Sequence, residues 1–196
     1  MRKRPNRPLK PNQDNDQTSI PLDFIALDTP ERIIEFCRSR GYVEGQSTDI
    51  QKLIEDTPNL NLEFDDLGEY DGSIKKIGED EYLISINSRH SPKRQRFSMA
   101  HEYVHFQFHR DLIEKMPEGE KILHRSEERN RVEYQANRVA AEILMPEKIF
   151  VQKAKELNGD IVQLSKLFDV STLAVRYRAK ELGFRPCGHC LRADYK

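Results

Sequence analysis

Residues 101–105 read H-E-Y-V-H, so two histidines lie four positions apart with a glutamate beside the first. In an α-helix, residues four apart lie one turn above each other, with Cβ atoms about 6 Å apart, so both imidazoles can reach one metal ion. An H-E-x-x-H sequence on a helix is typical of zinc peptidases, in which the histidines bind the ion and the glutamate is the general base toward a water molecule. The segment is therefore constrained to be helical, with its histidines facing a protected space.

The residues around this motif favour a helix. Ser91 is a suitable N-cap, and Pro92 suits the first helical position. At about 100° per residue, His101 and His105 border an apolar face and Glu102 lies further round. That apolar face is formed by Phe97, Ala100, Val104 and Phe108. The two histidines therefore point toward the interior, where they are either metal ligands or core histidines with ordinary hydrogen bonds.

A metal site of this kind needs a third ligand, and His109 is the first candidate along the chain. It lies two turns from His101, about 12 Å along the helix axis, which is too far for the three histidines to share one ion. The sequence therefore does not predict His109 as a ligand.

Glu133 is the better candidate, because it lies on the apolar face of a second predicted helix. Its neighbours on that face are Ala136, Asn137, Ala140, Ile143 and Leu144. A carboxylate that faces a core is costly unless it is paired or bound to a metal. Glu133 is thus predicted to be the third ligand, with a buried ion pair to an arginine as the alternative. Asn137 could hold Glu133 or a ligand histidine, whereas Glu142 is expected to face solvent.

Three segments of the chain resemble the ImmA/IrrE family of bacterial and phage metallopeptidases: residues 96–105, 133–137 and 140–146. Family members carry R-F-[ST]-x-A-H-E-x-x-H, followed by E-x-x-A-N and then by A-A-x-L-L-M-P. The match is specific because the separated motifs occur in the same order and at a suitable distance, and the resemblance extends over about residues 29–183. Val104 and Val139 depart from the family pattern, in which glycine and phenylalanine are common, and Val104 is expected to narrow the cleft.

The resemblance implies a zinc-dependent endopeptidase with His101, His105 and Glu133 as Zn²⁺ ligands and Glu102 as the catalytic base. It also implies a protein substrate, namely a helix-turn-helix transcriptional repressor that is cleaved at a specific site. The alternative is a non-catalytic DNA-binding regulator with a structural zinc site.

The pattern of apolar residues predicts an α+β fold with a short antiparallel sheet packed on helices, followed by a C-terminal helix-turn-helix-like segment. The resemblance implies that the first part is a small zincin-like metallopeptidase domain. Helices are predicted from Thr29 to Gly41 and again after Asp49, and the strands are predicted at residues 60–64, 72–77 and 82–86. The predicted units are a disordered basic arm, the zincin-like domain, the helix-turn-helix-like segment and a tail, over residues 1–21, 22–158, 159–184 and 185–196.

The helix-turn-helix-like segment has two short predicted helices that separate at Asp169, with Ser171 as an N-cap. Its second helix carries Arg176, Arg178 and Lys180, which could contact DNA. Because such a segment is first of all a packing unit, packing or substrate docking is favoured over direct DNA binding. A nucleic-acid or acidic partner for the basic arm is a further alternative.

Composition limits the other function classes. The formal net charge of −1 does not favour nucleic acid or a membrane surface, and no apolar run predicts a membrane span or signal peptide. With three cysteines, the chain is expected in the reducing cytoplasm. Cys187 and Cys190 form a C-x-x-C pair without a second pair to complete a zinc site, so an exposed tail motif is predicted. Residues 114–126, including His124, are predicted to form a loop between the two ligand helices.

Overall fold

The structure is a computed structural model that describes residues 27–115 and 127–193. The predicted basic arm (1–21) and most of the predicted loop at residues 114–126, with His124, lie outside the described residues. The helices of the described part are α1 (Pro30–Ser39), α2 (Ile50–Glu55), α3 (Pro92–Phe108), α4 (Arg110–Glu114), α5 (Glu127–Leu144), α6 (Glu147–Glu156), α7 (Ile161–Leu167) and α8 (Thr172–Glu181). Its strands are β1 (Val43–Glu44), β2 (Ser47–Thr48), β3 (Leu60–Asp65), β4 (Gly72–Lys76), β5 (Tyr82–Asn87), β6 (Phe184–Cys187) and β7 (Cys190–Ala193).

Helix α3 runs through the centre of the fold and carries the H-E-x-x-H motif. It begins at Pro92, as predicted, although the Ser91 side chain makes no capping hydrogen bond. Every residue from 98 to 106 is buried except His101, because α3 contacts β4 and β5 on one side and α5 on the other. This placement buries most of the motif and leaves His101, which is partly exposed, at the wall of a cleft.

The main sheet has the strand order β3-β5-β4, and it is mixed, not antiparallel. The predicted antiparallel arrangement holds for β4 and β5, in which Ile74 lies opposite Ile84. It is wrong for β3, which pairs parallel to β5 with Leu62 opposite Ile84. The strand positions themselves agree with the prediction to within about one residue.

The connection after β3 explains this difference. A short turn at residues 77–81 joins β4 to β5, which requires antiparallel neighbours. Residues 66–71, by contrast, can extend over about 20 Å, more than the roughly 10 Å that separates the two edges of a three-stranded sheet. The chain therefore crosses to the far edge before it returns through the middle. Buried Asn87 fixes this connection, because its Nδ2 donates to the carbonyls of Gly68 at 3.0 Å and Tyr70 at 2.7 Å.

Three basic side chains connect helices α7 and α8 to the rest of the fold. Lys93 Nζ donates to the Ser165 carbonyl at 3.0 Å, and Arg96 Nε donates to the Asp169 carbonyl at 3.0 Å. The Lys93 contact joins the start of α3 to α7, and the Arg96 contact joins it to the segment between α7 and α8. The third cation, Arg178, joins α8 to the end of α5.

Arg178 is buried, with 1% of its side chain exposed, and its guanidinium pairs with Glu142 and with Glu181, the latter at 3.0 Å. Its Nε also donates to the Met145 carbonyl at 3.0 Å. Two expectations are corrected by this arrangement. Glu142 was expected to face solvent, but its carboxylate forms an ion pair with Arg178. Arg178 was a candidate for DNA contact, but its guanidinium is buried in ion pairs and is not available to nucleic acid. The sequence could not show either, because the pair joins helices that are distant in the chain.

Residues 184–193 form a hairpin of β6 and β7 where the sequence analysis predicted the end of a helical segment and a tail. Leu191 of this hairpin is buried and packs against Gly159, where an added Cβ would lie 2.3 Å from the Leu191 carbonyl oxygen. Gly159 also has φ of 71°, so a glycine is required there twice over. Cys187 at the turn is exposed, and the Cys190 thiol donates to its carbonyl at 3.1 Å.

None of the helices in residues 27–115 and 127–193 is long and apolar enough to cross a membrane.

The buried ion pairs of Arg178 give a prediction for stability. Arg178→Ala leaves the carboxylates of Glu142 and Glu181 without their cation, and loss of one partner of a buried pair costs about 3–5 kcal/mol. The free energy of unfolding from a urea titration should fall by this amount. Lys180→Ala, on the exposed side of the same helix, is the control and should change it by less than about 0.5 kcal/mol. Equal unfolding midpoints in the two variants would contradict the structural role of Arg178.

Candidate metal centre

Helices α3 and α5 bring together the side chains of His101, His105 and Glu133, which form the donor cluster. The two Nε2 atoms of the histidines lie 3.0 Å apart. Glu133 Oε2 lies 3.1 Å from His101 Nε2, and Glu133 Oε1 lies 3.4 Å from His105 Nε2. The sequence analysis selected these three residues as ligands, and their donor atoms converge on one point.

The chemistry and spacing of the donor cluster fit a zinc ion. Two imidazole nitrogens and one carboxylate are a common ligand set of zinc sites that keep an open fourth position. Ligand atoms about 2.0–2.1 Å from a tetrahedral zinc ion lie about 3.3 Å from one another. The three separations of 3.0, 3.1 and 3.4 Å are close to that value.

The electrostatics of the donor cluster favour a positive charge at its centre. Burial alone would lower the pKa of His101, but hydrogen bonding with Glu133, the charge of Glu102 and, to a smaller extent, hydrogen bonding with Asn137 raise it. Hydrogen bonds from His101 and His105 hold the pKa of Glu133 far below its usual range. The same attraction that retains a proton between these groups would act on a divalent cation.

Glu102 lies beside the donor cluster without belonging to it. It is buried, and burial raises the pKa of its carboxyl group while the nearby His101 and His105 oppose that rise. Its carboxylate lies directly against Gly72, the first residue of β4, where an added Cβ would be 3.0 Å from Glu102 Oε1. Gly72 is thus a residue that the sequence analysis missed, although a glycine at the start of a strand can mark such a close approach.

The donor cluster opens into a cleft of about 1160 Å³. One wall is the whole of β4, which is an edge strand of the described three-stranded sheet and pairs there with β5. The opposite side is formed by α3 and by Glu133 and Asn137 of α5. A peptide in an extended conformation has the shape and hydrogen-bonding groups to pair with such an edge.

Two details of α5 differ from the prediction that Glu133 and Asn137 face the core. The Glu133 side chain is 39% exposed, because the apolar face of α5 begins only at Ala136 and the preceding turn borders the cleft. Asn137 is exposed, and its Nδ2 donates to the Glu133 backbone carbonyl at 2.9 Å.

Val104 is fully buried in the core and does not line the cleft, so the expectation that it narrows the cleft is wrong.

His109 makes a contact that its sequence position did not indicate. It ends α3, is buried, and places its Nδ1 at 3.2 Å from His105 Nδ1. Its Nε2 lies 3.4 Å from Oε1 of Gln135 on α5. Burial and the charge of His105 lower the pKa of His109. The spacing of four residues from His105 could have indicated the contact between the two rings. The contact of His109 with Gln135 could not be predicted, because it depends on how α5 packs against α3.

A helix with an H-E-x-x-H motif, packed between a small sheet and a helix that adds a glutamate, is an arrangement that fits a zincin-like domain. Comparison with protein families agrees: the family model of the M78 peptidases described as the IrrE N-terminal-like domain matches residues 55–180. The chain belongs to this family, as the resemblance to ImmA/IrrE proteins predicted.

Two related proteins are similar over part of their length. The radiation response metalloprotease IrrE of Deinococcus radiodurans is 30% identical over 141 residues, which cover 68% of this chain and 40% of that protein. A solved structure described as a Mycobacterium tuberculosis transcriptional regulator has a TM-score of 0.56 at 19% identity, over 77% of this chain and 46% of that chain. This chain thus spans less than half the length of either protein, and the second likeness concerns the fold alone.

The donor cluster predicts a sharp effect of Glu133 on metal affinity. Glu133→Ala removes the donor that α5 supplies, so zinc affinity should fall by more than the roughly 10- to 100-fold that loss of an outer partner costs. Glu63→Ala is the control, because this carboxylate lines the same cleft but binds the Ser85 hydroxyl. Equal zinc affinity of the two variants, measured by competition with a chromophoric chelator, would exclude Glu133 as a ligand.

Proposed function

We propose that this chain is a zinc-dependent endopeptidase in which His101, His105 and Glu133 hold the metal and Glu102 is the general base. The observation that carries the proposal is the convergence of three donor atoms at 3.0–3.4 Å in a cleft lined by β4, an edge strand of the described sheet. Membership of a peptidase family supports the reaction type.

Glu102 and strand β4 have different roles in the proposed peptide hydrolysis. The chemistry that a bound zinc ion supplies is Lewis acidity, which polarises the scissile carbonyl and makes water more acidic. Glu102 takes the proton from the attacking water and delivers it to the leaving amine. Its buried position and raised pKa suit a group that must both accept and return a proton. The β4 edge aligns the substrate backbone beside Glu102.

The substrate that we propose is a helix-turn-helix transcriptional repressor, cut at a specific site. The resemblance to ImmA/IrrE proteins supports this substrate, and the cleft has room for an extended segment along β4. Direct DNA binding is not part of the proposal. Of the three cations that the sequence analysis placed on α8, Arg178 is buried in ion pairs and Arg176 Nη2 donates to the Gly188 carbonyl of the β6–β7 turn.

The test of the proposed function is incubation of the zinc-loaded chain with a purified repressor encoded beside its gene. Cleavage should yield two fragments and stop when a chelator removes the metal. Absence of fragments, with zinc bound and the repressor folded, would reject this substrate.

Glu102→Gln separates the base from the ligands. The substitution keeps the size of the side chain and removes its basic oxygen, so cleavage should fall by about 10²–10⁴-fold. Zinc content and melting temperature should remain those of the unmodified chain, because all three donors persist. Undiminished repressor cleavage by this variant would end the proposal that Glu102 is the base.

Gly72→Ala tests the position of the same carboxylate from the opposite wall. The added Cβ would lie 3.0 Å from Glu102 Oε1, so the carboxylate or β4 must shift. A misplacement of about 1 Å can cost about 10²-fold in rate, and we expect a loss of about 10- to 100-fold with zinc content unchanged. Ser73→Ala, at the next position of β4, is the matched control and should retain its rate. Similar rates for the two variants would show that the close approach of Gly72 is not needed.

A further inference from the structure

The proposed reaction assigns no role to His109, a buried histidine beside the donor cluster. His109 is 7% exposed and lies one helical turn beyond His105, with its backbone N–H donating to the His105 carbonyl at 2.9 Å. Its ring lies between two groups on different helices: His105 Nδ1 at 3.2 Å and Gln135 Oε1 at 3.4 Å.

We infer that His109 is a positioning residue that fixes the tautomer and ring orientation of His105, and that Gln135 fixes His109 in turn. This inference rests on the proposed function, since it concerns how His105 presents its Nε2 to a metal. It adds a hydrogen-bonded chain from α3 to α5 behind the donor cluster.

The direction of each hydrogen bond follows from the donor cluster. His105 Nε2 faces His101 and Glu133, so this nitrogen must offer its lone pair when a cation is bound. A neutral imidazole with a free Nε2 carries its hydrogen on Nδ1. That hydrogen needs an acceptor, and His109 Nδ1 lies 3.2 Å away.

The second hydrogen bond fixes the tautomer of His109. An imidazole that accepts at Nδ1 carries its hydrogen on Nε2, and this hydrogen points to Gln135 Oε1 at 3.4 Å. A carboxamide oxygen can only accept, so it selects the His109 tautomer that leaves Nδ1 free. Both hydrogen bonds are therefore donated in the same direction, from His105 to His109 and from His109 to Gln135.

The structural consequence is a second link between α3 and α5. Glu133 connects the helices on the cleft side of His105, and Gln135 connects them behind it through His109. The His105 ring is thus held at both nitrogens. Outer partners of a ligand histidine typically contribute about 10- to 100-fold to metal affinity.

The test uses two substitutions of His109 that differ in one property. His109→Leu fills much of the space but offers no acceptor, so the zinc affinity of the chain should fall by about 10- to 100-fold. His109→Gln restores an acceptor oxygen and should recover most of that loss. His90→Leu, a partly buried histidine outside the donor cluster, is the control and should keep the affinity of the unmodified chain. Affinity is measured with Zn²⁺ against a chromophoric chelator, and the absorption spectrum of the Co²⁺-loaded chain reports the ligand geometry.

A second measurement needs no variant and covers the case in which His109→Leu does not fold. Long-range ¹H–¹⁵N correlation spectra of the zinc-loaded, unmodified chain assign the protonated nitrogen of each ring. Protonated Nδ1 on His105 with protonated Nε2 on His109 supports the inference, and protonated Nδ1 on His109 overturns it.

The outcomes also separate this inference from the proposed function. If the unmodified chain binds no zinc, the proposed metal centre fails and the role of His109 fails with it. If the unmodified chain binds zinc and His109→Leu has the same affinity and the same Co²⁺ spectrum, only the positioning role is rejected.

Discussion

The packing of α5 against α3 is the contact on which the candidate centre depends. Helix α3 supplies two donors and Glu102, but the third donor comes from a helix that begins 22 residues after His105. Small residues are buried on both helices, Ala100 on α3 and Ala136 and Ala140 on α5, and side chains of this size permit two helix axes to approach closely. A displacement of α5 by one turn, about 5.4 Å, would take the Glu133 carboxylate out of reach of both histidines.

Contacts far from the cleft maintain this packing. Arg178 of α8 holds the end of α5 in place through an ion pair with Glu142 and a hydrogen bond to the Met145 carbonyl. Lys93 connects the start of α3 to Ser165 of α7, and Arg96 connects it to Asp169 between α7 and α8. Helices α7 and α8 thus contact both ligand helices at the ends opposite the donor cluster. Because these contacts are partly or fully buried, their loss is costly, and they restrict how far α3 and α5 can move apart.

The parts of the fold that follow local rules could be predicted from the sequence. The helical spacing of His101 and His105 and the proline at the start of α3 are properties of one segment, and both agree with the structure. Glu133 was predicted to be a ligand because a charged residue among apolar ones needs a partner, although its side chain borders the cleft and not the core. The parallel pairing of β3, the ion pair of Glu142 with Arg178 and the approach of Gly72 to Glu102 could not be predicted. Each joins segments whose relative position only the folded chain determines.

His109 shows how a correct argument about distance can still miss a role. Helical geometry excludes it from an ion shared with His101, and the structure agrees, since its Nδ1 faces the opposite side of the His105 ring. Its spacing of eight from His101 makes His109 too remote for the ion, whereas its spacing of four from His105 places it one turn behind a proposed ligand. The second partner of His109 comes from α5, where Gln135 follows Glu133 by two residues and contacts His109 Nε2. The position of α5 relative to α3 could not be derived from the sequence. Glu133 and Gln135 thus contact the His105 and His109 rings from one short stretch of α5. A cation bound by the donor cluster would join α3 to α5, so its binding free energy would add to the stability of the packing that builds the site.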